Sequence, residues 1–282
     1  MRTDRLTLFL LILPGAGFIF LFLAAAIAMT VLQSVGLYSL VGESRLTFEH
    51  WLSLADRTFV DSFLFSLKVG VGSAFGTLIF AYPLALFLRR RRYGTQLIGS
   101  IIKIPLFVPA LVAAFLILNV LAFHGILNST LLGLGIIDRP LRMLNDKFGW
   151  NVLIIQIWKN LPFQLLILSA TLESIQTDIE DAARNLGASP WRVIRHIILP
   201  LSAPGILIAV VLVFILTFGD YAITKVAGPV YPSSLSVLMY TEAFTLQQWG
   251  SAACIGVVIT FASLLFVAIY ARAARAVAEI GR

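Results

Sequence analysis

The chain has 282 residues, of which 59% are hydrophobic and only 12% are charged, and its mean hydropathy is +0.94. Soluble domains contain roughly 45–50% apolar and roughly 25% charged residues, so this composition excludes an ordinary soluble protein and indicates an integral membrane protein. We interpret the formal net charge of +7 as a signal of membrane topology and lipid contact, because no interleaved aromatic and basic motif for nucleic-acid binding accompanies it.

Six segments are apolar over the length of about 20 residues that a helix needs to cross a bilayer. They lie near residues 8–33, 62–88, 98–122, 149–172, 203–225 and 250–271. The first apolar run is longer than the roughly 7–15 residues of a signal-peptide core, so we expect a retained span. The expected fold class is an all-α membrane protein with six transmembrane helices in a single transmembrane domain, residues 1–282.

Lysine and arginine residues are concentrated in alternate loops along the chain. The basic segments are the N-terminus, the loop from Arg89 to Lys103, the loop 173–205 and the C-terminal tail. Because basic loops stay on the cytoplasmic side, this alternation predicts a multi-pass protein with both termini in the cytoplasm. The loops that are expected to face outward lie at residues 34–61, 123–148 and 226–249.

Glycines in the second span follow the pattern G-x-G-x-x-x-G at Gly70, Gly72 and Gly76. No strand is expected before them, so a phosphate-binding loop is not predicted. We predict instead that Gly72 and Gly76 form a G-x-x-x-G helix-packing face. No Gly-Lys pair occurs in the sequence, so the chain has no Walker A loop and cannot hydrolyse ATP by that chemistry.

Other motifs of membrane enzymes are absent too. The sequence contains neither HExxH nor G-x-S-x-G, and its three histidines lie outside the predicted spans. The single cysteine, Cys254, lies in an apolar run and is predicted to be a packed or lipid-facing thiol. A disulfide or a thiolate metal site is therefore not expected. The sequence predicts no catalytic residue and no metal site.

Among the charged residues within the predicted spans, two are singled out: Lys159, close to the middle of the fourth span, and Asp220, near the outer end of the fifth. An ionised lysine at mid-bilayer costs roughly 2.5–3.5 kcal/mol, so Lys159 must face protein or water. One interpretation is a structural ion pair between Lys159 and Asp220, and the other is a polar lining of a transport pathway that includes Tyr221. Pro162 is expected to kink the fourth span beside Lys159, which favours the pathway.

The longest polar interruption is the loop 173–205, between the fourth and fifth spans. Thr177 and Glu180 have the spacing of a capping box, which predicts that a helix begins at Thr177. Glu180 is also placed to pair with Arg184 at i,i+4, and this leaves Asp181 free to meet another polar group.

A glycine and several prolines divide the rest of this loop. Gly187 is predicted to end the first helix at a corner that needs a positive φ. Ser189 and Pro190 have the form of an N-cap and a first-turn proline, which predicts a second short helix. Pro200 and Pro204 are predicted to separate that helix from the fifth span. Two short helices between spans have an alternative interpretation, an interfacial loop that lies on lipid headgroups.

The spacing of residues in this loop resembles the EAA signature of permease subunits in binding-protein-dependent ABC importers. The matching residues are Asp181, Ala182, Ala183, Gly187, Ile197, Leu199 and Pro200. The resemblance implies that the loop forms cytoplasmic coupling helices, which dock into a groove on an ATPase subunit. Asp181 stands where the family usually has glutamate, and Glu180 precedes it, so either carboxylate could make the family's contact.

Three further segments resemble permeases of polyamine-type importers, whose relatives carry iron(III), thiamine, phosphonates or opines. They are residues 158–163, 202–206 and 218–221. The resemblance implies a bacterial inner-membrane location, a second permease that is similar or identical, and two ATPase subunits that bind ATP. It also implies a periplasmic or extracellular binding protein that delivers a small solute. The chain itself is expected to bind no cofactor.

The alternative function is a secondary transporter or a small membrane enzyme with an interfacial loop. No inverted repeat is visible, and no span carries the cluster of carboxylates expected for proton or sodium coupling. We therefore favour a permease subunit that forms half of a translocation pathway. The sequence leaves the substrate open.

Overall fold

The computed structural model describes residues 5–39, 44–90, 94–144 and 146–280. Within these ranges the chain is helical and contains no strand. Six helical segments are long and apolar enough to cross a membrane: Leu11–Ser34, Arg57–Arg89, Ala110–Gly133, Trp150–Glu173, Pro190–Phe218 and Trp249–Arg272. The expected six-span, all-α fold is therefore confirmed. Residues 91–93 of the predicted basic loop and both chain ends lie outside the described ranges.

The α-helices are numbered in chain order. They are α1 Arg5–Ser34, α2 Glu49–Ser53, α3 Arg57–Arg89, α4 Thr95–Ile102, α5 Ala110–Leu121, α6 Ile126–Gly133, α7 Trp150–Glu173, α8 Thr177–Asn185, α9 Pro190–Val193, α10 Leu199–Phe218, α11 Ala222–Ala227, α12 Leu235–Tyr240 and α13 Trp249–Ile280. A 3-10 turn occupies Ile104–Phe107, and π-helical turns occupy Ile194–Ile198 and Thr241–Thr245.

Close contacts divide the chain into two compact units. The first comprises residues 1–60 and 238–261, and the second comprises residues 61–237 and 262–282. In the first unit the Cys254 thiol is buried and donates to the carbonyl oxygen of Ser34 at 3.4 Å, which confirms the predicted packed thiol. The second unit contains the whole polar loop 173–205. That residues 1–282 form a single domain stays a prediction.

Helix α3 packs on α7 through two glycines of the second unit. A Cβ atom at Gly72 would lie 2.9 Å from Leu153 Cδ2, and one at Gly76 would lie 2.6 Å from Ile157 Cδ1. The two glycines thus leave room for these side chains of α7, and the predicted G-x-x-x-G packing face is confirmed. Helix α7 also packs on α10 and α5, so it is the central helix of this unit.

The third span begins later than predicted. Residues 98–122 were expected to cross the membrane, but the chain forms the short helix α4 and a 3-10 turn first, and the span starts at Ala110. The reason is Pro109, since the residue before a proline is pushed out of the helical region. Val108 is accordingly extended, with φ −86° and ψ 119°. The chain therefore restarts a helix after this proline.

The fifth span differs from the prediction at both ends. It was expected at residues 203–225, separated from the second loop helix by Pro200 and Pro204, but the chain is helical from Pro190 to Phe218 without a break. A π-helical turn at Ile194–Ile198 lies before Pro200, and there the N–H of Leu199 donates to the carbonyl oxygen of Ile194. This wider turn accommodates a proline ring that would clash in an ordinary α-helical turn.

Candidate coupling loop and membrane-embedded charges

The first loop helix, α8, begins at Thr177 as predicted, but the capping box does not form. Gln176 precedes the helix at the N-cap, and no side chain caps the first turn. Glu180, the expected partner of Thr177, turns towards the membrane helix α3 instead. The capping-box prediction is therefore wrong, because a stronger partner competes for the Glu180 carboxylate.

That partner is Arg89, the last residue of α3. The Arg89 guanidinium pairs with the Glu180 carboxylate and donates to the carbonyl oxygen of Ile175 at 2.7 Å. Arg184 lies 3.4 Å from the other carboxylate oxygen of Glu180, so the predicted i,i+4 pair is also present. From the sequence, Arg89 was interpreted only as part of a basic cytoplasmic loop, because a contact across 91 residues leaves no local pattern.

The neighbouring carboxylate, Asp181, is exposed. Its side chain is 66% exposed, and Arg184 approaches it at 3.6 Å. Only one of the two adjacent acids is therefore presented at the surface of the loop. Since Asp181 occupies the signature position, the exposed carboxylate is the one available to a partner.

The corner after α8 has the geometry predicted for it. Gly187 has φ +85°, which confirms the expected positive φ. The N–H of Gly187 donates to the Arg184 carbonyl at 2.9 Å, and the N–H of Ala188 donates to the Ala183 carbonyl at 3.0 Å. This pair of bonds is a Schellman motif, which closes a helix at glycine.

The second loop helix also starts as predicted. The Ser189 hydroxyl accepts from the N–H of Arg192 at 3.4 Å, and Pro190 occupies the first turn of α9. Of the later signature residues, Ile197 is half-buried and packs against the core that contains Val193. The remaining two, Leu199 and Pro200, are exposed in the first turn of α10.

Large apolar side chains on the loop point away from the chain. Leu186 is 89% exposed, Trp191 69% and Ile179 43%. Ala182 is exposed as well, and Ala183 is half-buried. Apolar side chains on a loop between spans need a cover, and nothing in the described part of this chain provides it.

Lys159 does not meet Asp220. Its ammonium group donates to the carbonyl oxygens of Pro105 at 2.6 Å and Leu106 at 3.4 Å, and to that of Val108. These carbonyls belong to the 3-10 turn and the extended residue between α4 and α5, and that of Pro105 also accepts from the N–H of Val108 at 3.3 Å. The interpretation of a Lys159–Asp220 ion pair is therefore wrong, because the lysine binds backbone.

Asp220 is also bound to backbone. Its carboxylate accepts from the N–H groups of Ile223 at 3.0 Å and Thr224 at 3.1 Å, which belong to the first turn of α11. A carboxylate at this position stabilises the helix N-terminus. Tyr221, the next residue, is half-buried. The segment after the fifth span is thus a separate short helix, for which Gly219 and Asp220 form the turn.

A row of amides follows one face of α7. Gln156, Asn160 and Gln164 are spaced four residues apart and are buried. Asn160 donates to the carbonyl and side-chain oxygens of Gln156, at 2.8 and 3.1 Å. The Gln156 Nε2 and Gln164 Oε1 atoms are buried without a hydrogen-bond partner. No function was predicted for this row from the sequence, although the i,i+4 spacing of Gln156, Asn160 and Gln164 is visible there.

The amino-acid sequence is similar to those of known transport proteins. Residues 77–279 match the family described as binding-protein-dependent transport system inner membrane component. A probable ABC transporter permease protein of Brucella suis biovar 1 (strain 1330) is 32% identical over 207 residues, which cover 70% of this chain and 71% of that protein. The spermidine/putrescine transport system permease protein PotB of Escherichia coli (strain K12) is 26% identical over 230 residues, which cover 81% of this chain and 83% of that protein.

The fold is similar to solved structures as well. A chain of the bacterial alginate ABC transporter, in complex with its alginate pentasaccharide-bound periplasmic protein, has a TM-score of 0.73 at 19% identity and covers 93% of this chain and 92% of its own length. A chain of the inward-facing MetNI methionine ABC transporter has a TM-score of 0.61 at 18% identity, with 77% and 95% covered. At these identities the likeness concerns the fold alone.

Proposed function

The chain belongs to the family of binding-protein-dependent transport system inner membrane components, and on that premise we propose that it forms half of the translocation pathway for a small, polyamine-like or related charged solute. It is a permease subunit of an ABC importer and a multi-pass protein of the inner membrane. Family membership decides against the alternative, a secondary transporter or a small membrane enzyme with an interfacial loop.

The substrate class rests on the spermidine/putrescine permeases among the relatives. Those of Escherichia coli and Haemophilus influenzae are 26% and 28% identical to this chain. A polycation needs acceptors along its path, and the buried amide oxygens of α7 are groups of that kind. The orphan Gln164 Oε1 lies among them. We propose that Asp220 and Tyr221 line the same pathway, and that Lys159 shapes it by holding the segment 105–108.

The loop 173–205 is proposed to couple the permease to its ATPase. The observation that carries this is the apolar surface of Leu186, Trp191 and Ile179, exposed on either side of the Gly187 corner. Such a surface fits a groove on a partner protein, with Asp181 as a charged contact at its edge. The residues assigned to ATPase coupling are Glu180, Asp181, Ala182, Ala183, Gly187, Ile197, Leu199 and Pro200. Among these, Ala182 is small enough to let the partner approach closely.

The complete importer is proposed to contain two ATPase subunits, a second permease that is similar or identical, and a periplasmic or extracellular binding protein. ATP binds to the ATPase subunits and not to this chain, which carries no nucleotide-binding motif and is not itself an enzyme. Both termini and the loop 173–205 face the cytoplasm. ATP binding closes the ATPase pair, the loop carries that movement into the spans, and the pathway opens outward to receive the solute.

The experiment that tests this function is uptake by the complete complex in proteoliposomes. Labelled putrescine or spermidine should accumulate only when both ATP and the binding protein are present, and unlabelled thiamine or iron(III) should not compete. If the binding protein stimulates ATP hydrolysis but neither polyamine is imported, the substrate class is wrong. If the loop residues can be changed without effect on hydrolysis or uptake, the coupling assignment is wrong.

A further inference from the structure

A buried ion pair connects the coupling loop to a membrane helix. Among the described residues Glu180 is the only charged residue that is buried, and its carboxylate pairs with Arg89. The side chains of both residues are only 11% exposed. Solvent therefore screens this pair far less than it screens the exposed Asp181.

The Arg89 guanidinium contacts two parts of the chain besides its own helix. Arg89 is the last residue of α3, Glu180 lies in the first turn of α8, and Ile175 lies between α7 and α8. One planar group with fixed donor directions thus bridges the end of a membrane span and the start of the loop helix. The position of α8 is tied to the end of α3 by these bonds.

We propose that Arg89 and Glu180 are positioning residues that transmit the movement of α8 into α3 during transport, an inference that rests on the coupling function proposed above. Helix α8 packs closely on α9, and the Arg89 side chain connects it to α3. Helix α3 runs from Arg57 to Arg89 with Pro83 inside it. The helix that ends at Arg89 is therefore the same one that carries Gly72 and Gly76.

The place where α3 packs on α7 gives this movement a consequence. Gly72 and Gly76 allow the two helices to approach closely, so a shift of α3 changes their contact with Leu153 and Ile157. The buried side chain of Gln156 lies on the same helix α7 and accepts from Asn160. The pair thus connects ATPase docking at the exposed face of the loop to the centre of the bundle, through a path that does not involve Asp181.

The test separates transmission from simple stabilisation. Removal of either partner alone takes the closest counter-charge from a largely buried group: Glu180 keeps only Arg184 at 3.4 Å, and Arg89 keeps only the Ile175 carbonyl. Arg89→Met or Glu180→Leu should therefore reduce assembly of the complex. The double variant leaves no charge stranded and fills the site with apolar groups of similar size, so it should assemble normally. It lacks the directed bonds, however, and its import of solute per ATP hydrolysed should fall about fivefold or more. Arg90→Met is the matched control, because Arg90 is adjacent and exposed.

The measurements are subunit stoichiometry, ATP hydrolysis with and without binding protein, and uptake in proteoliposomes. If the double variant imports as much solute per ATP as the wild type, the pair only stabilises the fold and the inference is overturned. If the double variant fails to assemble, the pair belongs to folding, which overturns it too. If the wild-type complex itself shows no stimulation by the binding protein, the proposed coupling function fails first.

Discussion

The coupling loop and the polar residues of the fourth and fifth spans use their charged and apolar groups in opposite ways. The loop keeps one acid inside, Glu180, and exposes Asp181 together with Leu186 and Trp191. By contrast, Lys159 is bound to carbonyls between α4 and α5, and Asp220 is bound to N–H groups of the first turn of α11. Exposed groups of the loop are thus available to another protein, whereas the side chains of Lys159 and Asp220 are already bound to backbone groups at the ends of helices.

The largest expected effect is a difference in cysteine labelling between the two sides of the membrane. Cysteine at Ser189 should react with an impermeant maleimide only from the cytoplasmic side, whereas a cysteine at Ser44 should react from outside. The native Cys254 is buried and serves as the unreactive background. Reaction of residue 189 from outside would place the loop 173–205 on the side away from any cytoplasmic ATPase and would overturn its proposed coupling role.

Next in size is the effect of removing the lysine from the fourth span. Lys159→Met should lower the free energy of unfolding by about 2 kcal/mol, because it removes the ammonium donor that the carbonyls of Pro105, Leu106 and Val108 share. Asp220→Ala should cost about 1 kcal/mol through loss of the contacts to α11. Thermal unfolding in detergent measures both.

The double variant that combines Lys159→Met with Asp220→Ala tests whether the two charges form a pair. Because Lys159 and Asp220 bind different backbone segments, the effects of the two substitutions should add to within about 0.5 kcal/mol. Recovery of stability in the double variant would mean that the two charges do form a pair.

A smaller effect is expected at the corner of the loop. Gly187→Val places a β-branched residue at φ +85°, which costs about 1–2 kcal/mol, and import should fall about tenfold while the six spans still assemble. No atom lies within 4 Å of the position of a Cβ at Gly187, so backbone conformation and the partner's surface cause the loss. Gly187→Asn is the control, since asparagine tolerates positive φ. Equal import by both variants and the wild type would show that the corner has no part in coupling.

The smallest effect separates two exposed charges of the loop, Asp181 and Arg195. Asp181→Lys should weaken ATPase docking about threefold, because it reverses a charge proposed to meet the partner. Arg195→Ala should change docking by less than about twofold, since its side chain lies on the exposed face of the π-helical turn. Titration of the ATPase subunit into permease in nanodiscs gives both affinities. The reverse order of effects would assign the partner contact to the second half of the loop.

The sequence predicted those features whose determinants lie close together in the chain. The Gly187 corner, the Ser189 cap and the G-x-x-x-G face each depend on residues within about one or two helical turns, so their spacing is sufficient. The Lys159 contacts and the Arg89–Glu180 pair join residues 51 to 54 and 91 positions apart. Only tertiary packing determines such partners, and for that reason a pair of Lys159 with Asp220 was one of two interpretations that the sequence left open.

The predicted boundaries of the spans were wrong where proline chemistry decided the outcome. Apolar composition alone placed the third span at residues 98–122, but Pro109 restarts the helix at Ala110. Composition also could not show that Pro200 would be accommodated by a π-helical turn and that the helix would continue to Phe218. Hydropathy measures whether a segment can enter lipid, whereas backbone sterics determine where its helix begins.

The π-helical turn at Ile194–Ile198 makes the orientation of α9 relative to α10 sensitive to the insertion or deletion of a single residue. Such a turn holds one residue more than an α-helical turn, and each residue of a helix corresponds to a rotation of about 100°. Deletion of one residue here would return the segment to α-helical register and rotate α9 about its axis relative to α10, which would turn Trp191 to another side. The nine residues between Gly187 and Ile197 therefore set the angular direction in which the loop presents its apolar surface.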